Sequence, residues 1–428
     1  MQKAPARGLR ESLSFWQVLV SGIGIVIGAG IYVLIGPATA EAGAAVWISF
    51  VAAALLAGLT GLSYAELAGM FPTAGAEYTF ARRAFNEWAG FLTGWLMVAA
   101  NVIAAAAVSI GFAHYARHFL DVDLRLASAA LILALTALVA GGIQRSIWVS
   151  MALVVLQIGG LLMVIAAGAP HIGQVSLTEG ATVTGVWSAA ALIFFAFIGF
   201  DEVVTLSEET RDASRTIPAA LLLALAVSTG LYVLVAIASV SVIGAQAIAS
   251  SDTPLTLVIA HNWGNRAGDV VAVIALASTT NTTLLVLTAA SRLLFGMSRD
   301  GSLPGVLSNV TSGGRAPWVA AISGGAVALC FTLLADISLV ASVTDFAVYA
   351  IFIVVNGALV ALRFAAPDAP RTFVTPLAMG RVPVLPLLGA LTAALMMARL
   401  STEAWAISAG VLGAGVLAWL AWRLVRGR

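Results

Sequence analysis

Polar and apolar positions along this chain alternate on the scale of whole helices, not of single residues. Twelve intervals contain no Asp, Glu, Lys or Arg: 12–40, 42–65, 88–116, 126–144, 146–178, 180–200, 216–251, 270–291, 316–335, 346–362, 382–398 and 404–422. Each is at least 17 residues long, and about 20 residues of helix at 1.5 Å per residue cross a ~30 Å hydrocarbon layer. The pattern predicts twelve transmembrane helices and an all-α integral membrane protein. A membrane barrel needs segments of roughly ten residues alternating in polarity, and the chain has no such run.

Two of these intervals are interrupted. The first holds "GIGIVIGAGIYVLIG" at 22–36, with five glycines, each costing a helix interior about 1 kcal/mol relative to alanine. A helix from Phe15 to about Ile27 and another from Ile31 to Ala40 are predicted, with "GAG" at 28–30 between them. Unwound backbone at membrane depth is tolerated only where it lines a protein cavity; close packing of small residues is the competing explanation for the glycines. The sixth interval runs apolar from Val186 to Phe197, passes Ile198, Gly199 and Phe200, and turns polar at Asp201 and Glu202 before a half-helix ends near Glu209. Breaks in the first and sixth of ten spans fall at corresponding places in two five-helix halves, the pattern of an inverted-repeat secondary transporter. Free N–H groups starting near Gly30 suit a carboxylate, and free carbonyls near Val26 and Phe197 suit an ammonium.

Composition agrees: 61% of residues are hydrophobic and 10% charged, against about 25% charged in soluble domains. With the N-terminus inside, 17 of the 21 Lys and Arg residues fall in cytoplasmic segments, and only Arg117, Arg125, Arg266 and Arg399 fall outside. The positive-inside rule then predicts a multi-pass protein of the cytoplasmic membrane with both termini cytoplasmic. A cleaved signal peptide would fit the basic start and the "ATA" at 38–40, but the apolar region is too long and too rich in glycine. The organisation expected is a cytoplasmic segment 1–13, a first repeat 14–168, a second repeat 180–363, two further spans in 381–424 and a tail 425–428.

Several function classes drop out. Cys330 is the only cysteine, and no His or Cys spacing suits a metal. No phosphate-binding G-x-x-x-x-G-K-[ST] motif appears, so the energy source expected is a gradient or exchange, with no cofactor. Nothing resembles a selectivity filter, and an enzyme would have only Asp201 with scattered Ser and Thr as intramembrane candidates for nucleophile and base, so no enzyme is expected. The partners expected are a small-molecule substrate and the lipid bilayer, not nucleic acid, with the protein a monomer or homodimer.

"IGAGIYVLIGPA", "YAELAGMFPTAGAEYTFARRAFNEWAGFLTGW", "FFAFIGFDEVVTLSEETRDASRTIP" and "ASRLLFGMSRDGSLP" resemble the motifs of the amino acid–polyamine–organocation transporters, in family order. The resemblance implies a LeuT-like five-plus-five inverted repeat, alternating access and amino acid substrates. Carried over by position, it places carboxylate-binding amides at Gly28, Ala29 and Gly30 and ammonium-binding carbonyls at Val26, Ile27 and Ile198. Phe195 takes the place of an aromatic that closes over substrate, and Asn101 and Val286 the side-chain pocket. Asn101 has an alternative as an interhelical hydrogen-bonding group.

Two departures matter. Ala100 and Asn101 stand where cationic members often have an acid, which favours a neutral amino acid; an amine, polyamine or cationic amino acid is the alternative. Gln157 stands where several proton-coupled members have a lysine, and glutamine does not titrate. Coupling by H+ therefore points to Asp201, an intramembrane carboxylate whose competing role is to accept backbone N–H groups. Coupling by Na+ points to Thr280 and Asn281 in "STTNTTLL", whose polar groups equally suit helix contacts. Glu208 with Arg211 is the expected cytoplasmic gate. Glu66, Asp336 and Asp345 are expected near span ends, solvated or paired with arginine, and the four histidines in solvated outer positions.

Overall fold

The computed structural model describes residues 13–71, 76–142, 147–311 and 316–426. Residues 1–12 with Lys3, Arg7 and Arg10 lie outside that description, as do Arg145, Arg315, Arg428 and the side chains of Glu208, Trp422 and Arg426.

The first interrupted interval is α1 (Phe15–Val26) and α2 (Gly30–Ala42). Ser14 opens α1 by donating its N–H to Gln17 Oε1 at 2.9 Å, half of a capping box. A 3-10 turn at Gly43–Ala45 bends the chain into α3 (Val46–Met70), and α4 (Ala76–Ala84) is a short polar helix before the next span. Then come α5 (Glu87–Arg117), α6 (Leu124–Gly141) and α7 (Ile147–Gly168). The second interrupted interval is α8 (Val183–Ile193), a 3-10 turn Phe194–Phe197 and a 3-10 helix Phe200–Glu209. The remainder is α9 (Ala213–Ala249), α10 (Pro254–Trp263), α11 (Asn265–Arg299), α12 (Trp318–Thr332), α13 (Ile337–Ala365), α14 (Val384–Met397) and α15 (Thr402–Arg426). Side-chain oxygens of Asn86, Asp123, Thr182 and Asp336 accept first-turn N–H groups and set the starts of α5, α6, α8 and α13.

Among the described residues, nine helical stretches are long and apolar enough to cross a bilayer, one of them, Gly30–Met70, containing both α2 and α3. The shorter α1, α12 and α14 are apolar as well. This is a multi-pass, all-α membrane protein. The bundle centre is α5, packed on α11 and α13, while α1 and the 3-10 helix lean on α9. The most apolar window of α15 is only 17% buried, so apolar side chains such as Leu417 and Leu424 face outward, as lipid contact requires.

Three acids lie differently from one another. Asp336 is the cap of α13. Glu66 is fully buried and pairs with Arg363 at 2.6 Å and Arg371 at 3.1 Å, the arginine alternative of the sequence reading. Asp345 corrects that reading: α13 begins at Ile337, so Asp345 sits about two and a half turns inside the helix, fully buried, facing the main chain of Phe195. Two of the four histidines stand beside acids: His118 Nε2 is 2.8 Å from Asp269 and His114 Nδ1 3.5 Å from Asp252.

Candidate functional site

Both predicted breaks are present, and they touch. Ile27 leaves helical geometry at φ −78°, ψ 62°, and Gly30 restarts the helix. In the second break Ile198 is extended and Gly199 adopts φ +109°, a region open to glycine because it lacks a Cβ. A Cβ on Gly30 would stand 2.5 Å from Ala196 Cα, so the start of α2 presses directly on the Phe194–Phe197 turn. That close approach explains Gly30 as a packing residue at the seam between the breaks.

A cavity of about 1450 Å³ opens at one end of the bundle and reaches the breaks. Its inner wall includes Gly28, Asn101, Ile198, Gly199, Asn281, Thr282 and Val286; Arg82, Arg83, Glu87, Arg292 and Asp300 line it as well. Six residues anticipated from sequence thus share one chamber: Gly28, Asn101, Ile198, Asp201, Asn281 and Val286. Val26, Ile27, Ala29, Gly30, Phe195, Gln157 and Thr280 are not on its wall.

Hydrogen bonds say what each main-chain group is doing. Val26 C=O accepts from Gly28 N–H at 2.8 Å and from Tyr232 Oη at 2.7 Å, which engages both lone pairs. Ala29 N–H donates to Thr282 Oγ1 at 3.2 Å. Two of the three amides expected to hold a carboxylate are therefore occupied by groups of the protein in this conformation. Asn101 Nδ2 donates to Met97 C=O at 2.9 Å, and the residue lines the chamber. Asn281 Oδ1 is buried without a partner, whereas Thr280 Oγ1 is turned back to Leu276 C=O. Gln157 donates to Ser278 Oγ at 2.9 Å away from the chamber. Asp201 Oδ1 accepts from Gly199 N–H at 3.1 Å and still lines the cavity.

A family model described as amino acid permease matches residues 13–416. The chain belongs to the amino acid permease family. The permease is similar to the branched-chain amino acid permease BcaP of Bacillus subtilis, 34% identical over 405 residues, covering 89% of this chain and 86% of that one. It is 30% identical to an uncharacterized transporter of Mycobacterium tuberculosis, covering 98% and 93%. It is also 30% identical to the vacuolar cationic amino acid transporter 2 of Arabidopsis thaliana, covering 84% of this chain and 61% of that one. The permease is a membrane transporter for a small-molecule substrate, not an enzyme.

Sequence reasoning missed the residues that hold this permease's broken segments. Tyr232 Oη contacts Val26 C=O and, at 3.0 Å, Ala196 C=O, so one side chain of α9 ties the two breaks together. Thr282, one residue past the anticipated Asn281, meets the first break. Glu77 of α4 is 2% exposed and lines the chamber. Burial first, then the charge of Asp201, push its carboxyl up to about 8. An isolated acid in a polar connecting segment carries no sequence signal of burial; only the seating of α4 against α5 and α13 creates it.

Proposed function

We propose that the permease is a secondary active transporter of neutral amino acids, working by alternating access as importer or exchanger across the cytoplasmic membrane. Its architecture in this reading is twelve spans, with residues 14–168 and 180–363 as inverted five-helix repeats, α1–α2 and α8 with its 3-10 continuation being the broken first and sixth spans. The observation that carries it is the meeting of two helix interruptions at the inner end of a chamber open to one side. Broken helices facing each other at a membrane-depth chamber supply main-chain groups of both signs to a zwitterion. The arginines Arg82, Arg83 and Arg292 on the chamber wall support a cytoplasmic opening, and with it cytoplasmic termini.

Ala100, Asn101, Val286 and Ile351 give part of the chamber an uncharged wall, which supports a neutral side chain, as does similarity to a permease named for branched-chain amino acids. Glu77, Asp201 and Glu202 on the same wall favour the second reading, a cationic amino acid, amine or polyamine. Asp201 is the group assigned to proton coupling, and Asn281 with Thr280 the place assigned to sodium. The test is uptake into proteoliposomes with a panel of amino acids and amines under imposed H+, Na+ or counter-substrate gradients. Uptake of leucine-like substrates, inhibited little by arginine or putrescine, is the expected result. Uptake confined to amines lacking a carboxylate would overturn the main-chain carboxylate site.

A further inference from the structure

Five of the six tyrosines are fully buried. Four donate to main-chain carbonyls: Tyr32 to Gln157, Tyr115 to Tyr32, Tyr232 to Val26 and Tyr349 to Ala191. Tyr64 breaks the pattern. Its hydroxyl makes no hydrogen bond of good geometry and instead faces the carboxyls of Glu77 and Asp201. Glu77 Oε2 is likewise buried and unpartnered, and the Glu77 carboxyl lies beside that of Asp201, both on the chamber wall.

Two carboxyls in contact repel if both are ionised and attract if one proton lies between them. No cation offsets the pair: among the described residues, none lies within ion-pair distance of Glu77. The surrounding groups are Asp201 and Glu202 from the 3-10 helix and Tyr64 from α3. On its own helix α4 carries Tyr78, Arg82 and Arg83, and α5 brings Glu87, which pairs with Arg82 where both are exposed. α13 carries Asp345, Tyr349 and Arg363, and Arg363 is held by Glu66.

We propose that Glu77 and Asp201 hold one proton between them, and that this pair exchanges that proton with the chamber during transport. The inference rests on the transport reading above and adds Glu77 as the second half of its coupling site. The pair joins two bodies. α4 rests on α5 and α13, whereas Asp201 belongs to the broken segment packed on α1 and α9. Any movement of that segment relative to α4 parts the carboxyls, and each then ionises as an ordinary solvated acid. Proton retention belongs to the conformation in which the two are together.

Infrared difference spectroscopy of the purified permease in lipid, pH 7 minus pH 9, tests the pair without transport. A protonated-carboxyl stretch that disappears with rising pH is expected in the natural protein and absent in Glu77→Gln. Asp201→Asn removes the neighbouring negative charge and lowers the midpoint of that band by about one pH unit, whereas Tyr64→Phe removes a favourable contact to the anion and raises it. A titrating band unchanged by Glu77→Gln, or no titrating band, overturns the proposal. In proteoliposomes carrying a pH-sensitive dye, substrate uptake by the natural protein moves protons and uptake by Glu77→Gln does not; proton movement persisting in Glu77→Gln overturns the coupling role. Failure of the natural protein to take up any substrate would sink the transport reading alone, since the infrared result does not depend on it.

Discussion

The hydroxyl of Tyr232 lies 2.7 Å from the carbonyl oxygen of Val26, the last residue of α1, and 3.0 Å from that of Ala196 in the opposing break. A carbonyl released from a helix end inside a membrane bundle needs a donor, because no solvent supplies one. One phenol proton, shared between two such carbonyls, tethers the broken segments to each other. It couples them mechanically as well as energetically.

Tyr232→Phe keeps the ring packing against Phe50 and Phe197 but removes the donor. Loss of about 1–3 kcal/mol is expected, because Ala196 C=O loses this donor while Val26 C=O keeps only Gly28 N–H. Thermal unfolding in detergent should show the lower midpoint, and uptake should fall through a changed KM as the breaks loosen.

Gly30→Ala places a methyl group 2.5 Å from Ala196 Cα, a backbone atom that cannot swing away. Lower thermal stability and abolished uptake are expected. Gly159→Ala, where nothing lies within 4 Å, is the matched control and should transport normally in the same uptake assay.

Glu66→Gln strands Arg363 and Arg371 beside a neutral amide. Breaking a buried ion pair from one side costs about 3–5 kcal/mol. Glu66 also accepts Thr375 N–H at 2.8 Å, so the change should release the segment after α13 as well as α3. Faster proteolysis between Ala366 and Leu377 in the variant would register that release.

Thr282→Val frees Ala29 N–H from its internal acceptor. If the first break binds a carboxylate, removal of the competing hydroxyl lowers KM for amino acids several-fold and leaves decarboxylated amines unaffected. Competition assays with a matched amino acid and amine separate the two; equal effects on both would count against main-chain carboxylate recognition.

Much of this was written in the chain. Charge-free intervals fixed the helical, membrane-spanning character because burying an unpaired charge in lipid is too costly to leave to context. The glycines of 22–36 and the polar turn at Ile198–Asp201 marked both breaks within about one residue, since unwinding a helix requires either a missing side chain or a polar group to meet the freed backbone. Asp201 stood out as an intramembrane acid at the second break, whereas Asn101 and Val286 were placed by the family resemblance; all three line the chamber.

What the sequence could not decide was which groups meet across separate helices. Tyr232, Thr282, Tyr64 and Glu77 are ordinary residues in their own segments, and nothing in local spacing distinguishes a tyrosine that spans two breaks from one that packs. Asp345 looked like a span-end acid because it borders the charge-free interval 346–362, yet the cap at Asp336 starts α13 earlier and draws it inside. Periodicity and charge set where the chain crosses the bilayer; the partner of each freed carbonyl or buried acid exists only once the helices are packed, because hydrogen bonds reach about 3 Å and sequence separation carries no such distance.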